Sequence, residues 1–178
     1  MALLDMIQQK KFLGTEFLTW LWYRAEIDEG TIEIERGHPC LVVFEKDLLL
    51  SGEAGQALAS SLKGDSPATA PEAVAALLAG KKVKRARITL EVDATTWQLV
   101  LHGETFDWGG LKIDTPPSLP LEEAIPIRLN ALEEFERIFG LLYAQFLDLR
   151  LNAAHWKKEV AAIRKWAQKK STTGVGEE

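Results

Sequence analysis

Hydrophobic positions along this chain follow three successive periodicities. The first is helical and nearly unbroken. Residues 12–27, FLGTEFLTWLWYRAEI, place Phe17, Leu18, Trp20, Leu21, Trp22 and Tyr23 around most of a helix circumference. Such a helix belongs between layers rather than on a surface. Gly14-Thr15 reads as its start, with Thr15 as N-cap and Glu16 in the first turn, where a carboxylate meets the positive end of the helix dipole. Core packing, rather than a ligand platform, is the reading taken for its tryptophans.

The second periodicity is two. Thr31 to Glu35 alternates, with Ile32 and Ile34 on one side. Residues 40–45 (CLVVFE) and 48–51 (LLLS) read as a hairpin turning at Lys46-Asp47. Residues 55–63 are Ala-rich, but Leu58, Ser60 and Leu62 alternate, and the segment is assigned to a strand. Asp65 to Pro71 is a turn segment leading into a short helix that begins at Pro71 and ends at Gly80. In residues 83–92, Ala86, Ile88, Leu90 and Val92 face one way, and Arg85, Arg87, Thr89 and Glu91 the other. Asp93-Ala94-Thr95 turns the chain into residues 96–102, whose inward row is Trp97, Leu99 and Leu101. A third strand carries Phe106, Trp108, Leu111 and Ile113, with Gly109-Gly110 as a bulge or tight turn. This is an antiparallel meander, closed by a stiff loop at 115–120 (TPPSLP).

The third periodicity is a heptad. Leu132, Phe135, Phe139, Leu142, Phe146, Leu149, Ala153, Trp156, Val160, Ile163 and Ala167 are separated by alternating steps of three and four. A continuous helix over this seam would reach roughly 50 Å, longer than a domain of this size is wide. The first half, rich in large apolar residues, is expected to cover the sheet. The second half is expected to project, with Leu149, Trp156, Val160 and Ile163 as an oligomer interface. An intrachain bundle is the alternative. The fold class is therefore α+β: a buried N-terminal helix, an antiparallel sheet, and a long C-terminal helix that packs on the sheet and projects. Residues 1–150 form the domain, 151–170 a basic heptad extension, and 171–178 (STTGVGEE) a disordered tail.

Composition narrows the class. A chain of 178 residues, 47% hydrophobic and 26% charged, is globular, not collagen-like or disordered. The opening MALLDMIQQKK has Asp5 inside its short apolar stretch and no small-residue cleavage site, so it does not read as a signal peptide. No apolar run approaches a membrane span, and the single cysteine, Cys40, fits a reducing compartment. The expectation is a cytoplasmic protein without a membrane partner. The net charge of -5 hides an asymmetry: Glu16 to Glu53 holds nine acidic and three basic residues. Lys81 to Arg87 and Arg150 to Lys170 hold five and seven basic residues, with Glu159 their one carboxylate. Local potential, not net charge, decides whether a polyanion is attracted.

No Gly-rich phosphate loop or nucleophile elbow is present, and His38, His102 and His155 lack metal-type spacing. Glu91 and Asp93 are read as solvated carboxylates rather than metal ligands. No catalytic residue, metal or cofactor is assigned. The candidate site is the basic segment KKVKRAR: Lys81, Lys82, Lys84, Arg85 and Arg87. Arg85 and Arg87, two apart on a strand, point to one side about 7 Å apart, a spacing suited to successive phosphates. A solvated sheet face is the plain alternative. The second basic cluster, including Lys157, Lys158, Arg164 and Lys165, lies mostly off the heptad seam and reads either as an ordinary solvated helix face or as a second phosphate-binding surface.

In the order of these features the chain resembles the recombination-associated RdgC family. The resemblance runs through FLGTEFLTWLWYRAE at 12–26, LKGDSPATAPEAVAALLAGKKVKRARITL at 62–90, and the stretch from Trp97 to about Leu151. It covers the central and C-terminal parts of longer members. It implies a non-enzymatic, largely sequence-independent DNA-binding protein, nucleoid-associated and homo-oligomeric. Duplex would be preferred to single-stranded DNA, and the action would be to modulate recombination by restraining RecA. Lys63 matches a basic position before the turn Asp, and Lys81 the lysine after the helix-ending glycine. The rival expectation is a protein-interaction or oligomerisation module acting through the heptad helix.

Overall fold

The structure, a computed structural model, describes residues 10–52, 60–63, 71–113 and 120–173. The segments at 1–9, 53–59, 64–70, 114–119 and 174–178 lie outside it, and with them the readings of the leader, the Asp65 turn, the Thr115 loop and the end of the tail.

The apolar N-terminal segment is helix α1 (Lys10–Ile27). It runs straight through Gly14-Thr15, so Thr15 is not its N-cap. Gly14 marks a close approach instead: a Cβ there would lie 2.2 Å from the carbonyl oxygen of Gly103. Tertiary packing, not capping, explains this glycine. The Thr19 hydroxyl donates to the Thr15 carbonyl at 2.8 Å and accepts the Val83 N–H at 3.1 Å, tying α1 to the sheet.

Among the described residues, six strands form one antiparallel sheet. They are β1 (Thr31–Glu35), β2 (His38–Ser51), β3 (Ser60–Lys63), β4 (Lys82–Val92), β5 (Thr95–His102) and β6 (Asp107–Ile113). The order is β1-β2-β4-β5-β6, with β3 also on β2. The hairpin expected at Lys46-Asp47 is absent, because β2 continues through it. Phe44 pairs with Ile88 and Leu48 with Ala86, so the polar residues between them form a bulge rather than a reversal. Both halves of β2 stay paired to β4, and the buried side chains Val42, Phe44, Leu48 and Leu50 stay on one face. Of the strand expected over 55–63, residues 60–63 form β3 and 55–59 lie outside the described residues, while Gly110, at φ 63, sits in the β6 irregularity that the Gly-Gly pair signalled.

Helix α2 (Pro71–Leu78) precedes the turn at Gly80, whose φ of 86 suits glycine. The long C-terminal helix packs on the sheet as α3 (Leu121–Leu151), through Phe135, Ile138, Leu142 and Phe146. All of these join Trp20, Trp22, Trp97, Ile88 and Leu90 in one core on the alternating apolar face of the sheet. Phe17 is the aromatic centre, with the rings of Phe106, Phe139, Tyr143 and Phe146 between 5.3 and 5.9 Å away. Truncating it to Ala would cost about 3–5 kcal/mol. Cys40 is buried in β2, and burial pushes its thiol up to about 12, which leaves it protonated and unreactive at neutral pH.

The heptad seam does not continue as one helix. It breaks at Asn152, whose φ of -93 and ψ of 104 are extended, and resumes as α4 (Ala153–Thr173). The Asn152 Oδ1 accepts the N–H groups of Ala154 and His155, both at 3.1 Å, so one residue ends α3 and caps α4. Helix α4 turns back against α2, α3 and α1. Exposed apolar side chains lie at both ends of α3, with Ile125, Ile127 and Leu129 near its start and Leu151 at its close. Residues 171–173, expected in the tail, are the last turn of α4. No helix among the described residues is long and apolar enough to cross a membrane.

Candidate nucleic-acid interface

Strand β4 was expected to lay one basic track, and the fold divides it. Leu49 pairs with Arg85 and Leu50 with Val83, so Lys84 is the extra residue of a bulge. Beyond it Arg85 and Arg87 share the face away from the helices, as their spacing required. Arg85 Nη2 donates to both carboxylate oxygens of Asp47, at 3.1 and 3.0 Å. Lys84 Nζ lies 2.6 Å from Glu104 Oε1. Lys82 Nζ lies 3.3 Å from Glu16 Oε1, on the helix side of the molecule. The Nε atoms of Arg85 and Arg87 are buried with no hydrogen-bond partner among the described residues. Beside them Glu45 accepts from Gln98 Nε2 at 2.6 Å and from the Thr89 hydroxyl. Lys63 is in β3, opposite Asp47, and its side chain lies outside the described residues.

Glu16 is the hub that sequence reasoning missed, having been read only as a first-turn carboxylate. It is buried, and its second oxygen accepts from Arg150 Nε at 2.6 Å. One side chain thus joins α1, the start of β4 and the end of α3. Nothing local in the sequence signals this, because its partners lie 66 and 134 residues away.

Helix α4 treats its cations differently. Lys157, Lys158, Arg164 and Lys165 are all exposed. The one carboxylate of this helix, Glu159, is turned inward and accepts from Trp20 Nε1 at 3.1 Å. Lys170 anchors the far end on Glu26 at 2.7 Å. Lys157 and Arg164 are two turns apart on one side, about 10 Å along the axis, and Lys158 and Lys165 repeat the interval.

The expected oligomer seam is spent within the chain. Trp156 meets Phe146 edge-on at 5.7 Å, with the Arg150 guanidinium 5.4 Å from its ring. Ile163 is buried, Leu149 packs against the core, and Val160 lines a hollow shared with α2. The reason is the reversal at Asn152, which folds the second half of the heptad onto the first domain.

That reversal also brings the two basic segments together. Between α1, the α2–β4 turn and α4 lies a cavity of about 220 Å³. Leu77, Trp156, Val160, Ile163 and Ala167 form its apolar wall, and Lys81, Lys82 and Arg164 line it beside Glu16. Lys157 and Lys165 continue the cationic surface from Arg164 along an adjoining groove. No family model, curated protein or solved structure matches this chain.

Proposed function

We propose that this protein is a non-enzymatic, largely sequence-independent DNA-binding protein of the kind its resemblance to the RdgC family implies, with α4 as its main phosphate contact. The observation that carries this reading is the disposition of α4: four cations in solvent and the helix's sole carboxylate turned to Trp20. Lys81 lines the same cleft as Arg164, beside the Lys82–Glu16 pair, and extends the cationic surface from α4. Contacts of this kind neutralise phosphates and release counterions without reading bases. Duplex DNA is the favoured substrate, and occupancy of its backbone is the means by which strand exchange driven by RecA would be restrained. The experiment is a titration against labelled random-sequence duplex and single-stranded DNA at several salt concentrations. The expected result is little sequence discrimination and a log–log salt slope of about -0.9 per duplex phosphate contact. Failure to bind duplex at low salt overturns the reading.

A further inference from the structure

We propose that the hollow between α1, the α2–β4 turn and α4 binds a small amphipathic carboxylate, with a ring or short chain inside and its head at the mouth. This does not rest on the DNA reading. A phosphate track needs exposed cations but no recess, and here an apolar recess lies directly beside them.

The cavity measures about 220 Å³. A cavity of about 150 Å³ suffices for benzene, so this one takes a ring with a short arm. The interior carries little unmet polarity to hold water. The Thr19 hydroxyl already donates to Thr15 and accepts from Val83. Glu16, the one carboxylate in the lining, is shared between Lys82 and Arg150. Lys81 comes from the α2–β4 turn and Arg164 from α4, and the two converge on one opening, where Lys82 at the start of β4 is already paired with Glu16. A planar carboxylate matches the guanidinium fork of Arg164, with the lysines as neighbouring charges.

Calorimetric titration of the full chain would use 4-phenylbutanoate, with 4-phenylbutan-1-ol as its uncharged counterpart and inorganic phosphate as a head without a tail. The acid is expected to bind roughly tenfold tighter than the alcohol, as a charge-assisted contact predicts. Phosphate should not bind at the same concentrations. Arg164→Glu, at an exposed position, should lower affinity for the acid about tenfold and leave the alcohol unchanged. Amide shifts on adding the acid to the wild type should centre on Gly80, Lys81 and Trp156, which locates the site without any variant. Equal affinity for acid and alcohol, equal binding of phosphate, no binding of the acid, or shifts centred elsewhere would each overturn the proposal.

Discussion

Of the five cations in Lys81–Arg87, Lys82, Lys84 and Arg85 face carboxylates supplied by α1, the β5–β6 turn and β2. The four cations Lys157, Lys158, Arg164 and Lys165 of α4 stand in solvent, and the carboxylate in their midst is turned away. On paper the strand segment is the more basic, with five cations in seven residues against four in the nine from Lys157 to Lys165. What separates them is where the fold carries distant carboxylates. Asp47 arrives at Arg85 because β2 bulges instead of turning, and Glu16 arrives at Lys82 because α1 crosses the start of β4. Charge runs along a chain therefore say little about surface potential until their distant partners are placed.

The largest effect expected from this contrast is on DNA affinity. Joint replacement of Lys157, Arg164 and Lys165 by Glu should lower duplex affinity at low salt by roughly two to three orders of magnitude. Arg85→Ala should leave it nearly unchanged in the same filter-binding assay. Equal losses in Arg85→Ala and Arg164→Ala would break the comparison.

Glu16→Ala removes the shared carboxylate of Lys82 and Arg150. Because those two partners are partly exposed, the expected cost is about 2 kcal/mol rather than the full price of stranding buried charges. Urea unfolding would measure it, and a midpoint equal to wild type would show that Glu16 is no hub. Asn152→Ala should cost about 1 kcal/mol through loss of the α4 cap, read as a lower thermal midpoint. Should the variant instead gain helicity and associate, α4 would be held in place by that cap alone. The smallest effect belongs to Asp47→Asn. It should cost under about 1 kcal/mol for a pair this exposed, and by releasing Arg85 should steepen the DNA salt slope by at most about 0.9.

The apolar N-terminal helix, the meander from Val83 to Ile113 and the helix at Pro71 were legible because their periodicities are strong and their packing demands agree with them. Two errors share a cause. Lys46-Asp47 and Gly14-Thr15 carry turn or cap chemistry, yet β4 pairing and the Gly103 contact override it. The break at Asn152 was obscured by the heptad, which runs through the residue without a missed step. Its local signal was an asparagine, a favoured cap, standing between Leu151 and two alanines. Of the candidate site, exposure on α4 followed from its polar stripe, whereas the pairing of β4 and the meeting of Lys81 with Arg164 depend on long-range closure that no local pattern encodes.

Asn152 has a further consequence for how the molecule melts. Helix formation is cooperative along an unbroken ladder of hydrogen bonds, and a residue in extended geometry interrupts that ladder. The two halves of the seam are thus separate cooperative units. Residues 153–173 depend on contacts such as Trp22 with Trp166 and Lys170 with Glu26, not on continuity with the helix before them. Their amides should exchange with solvent ahead of the sheet's, in a local opening that leaves the rest of the molecule folded.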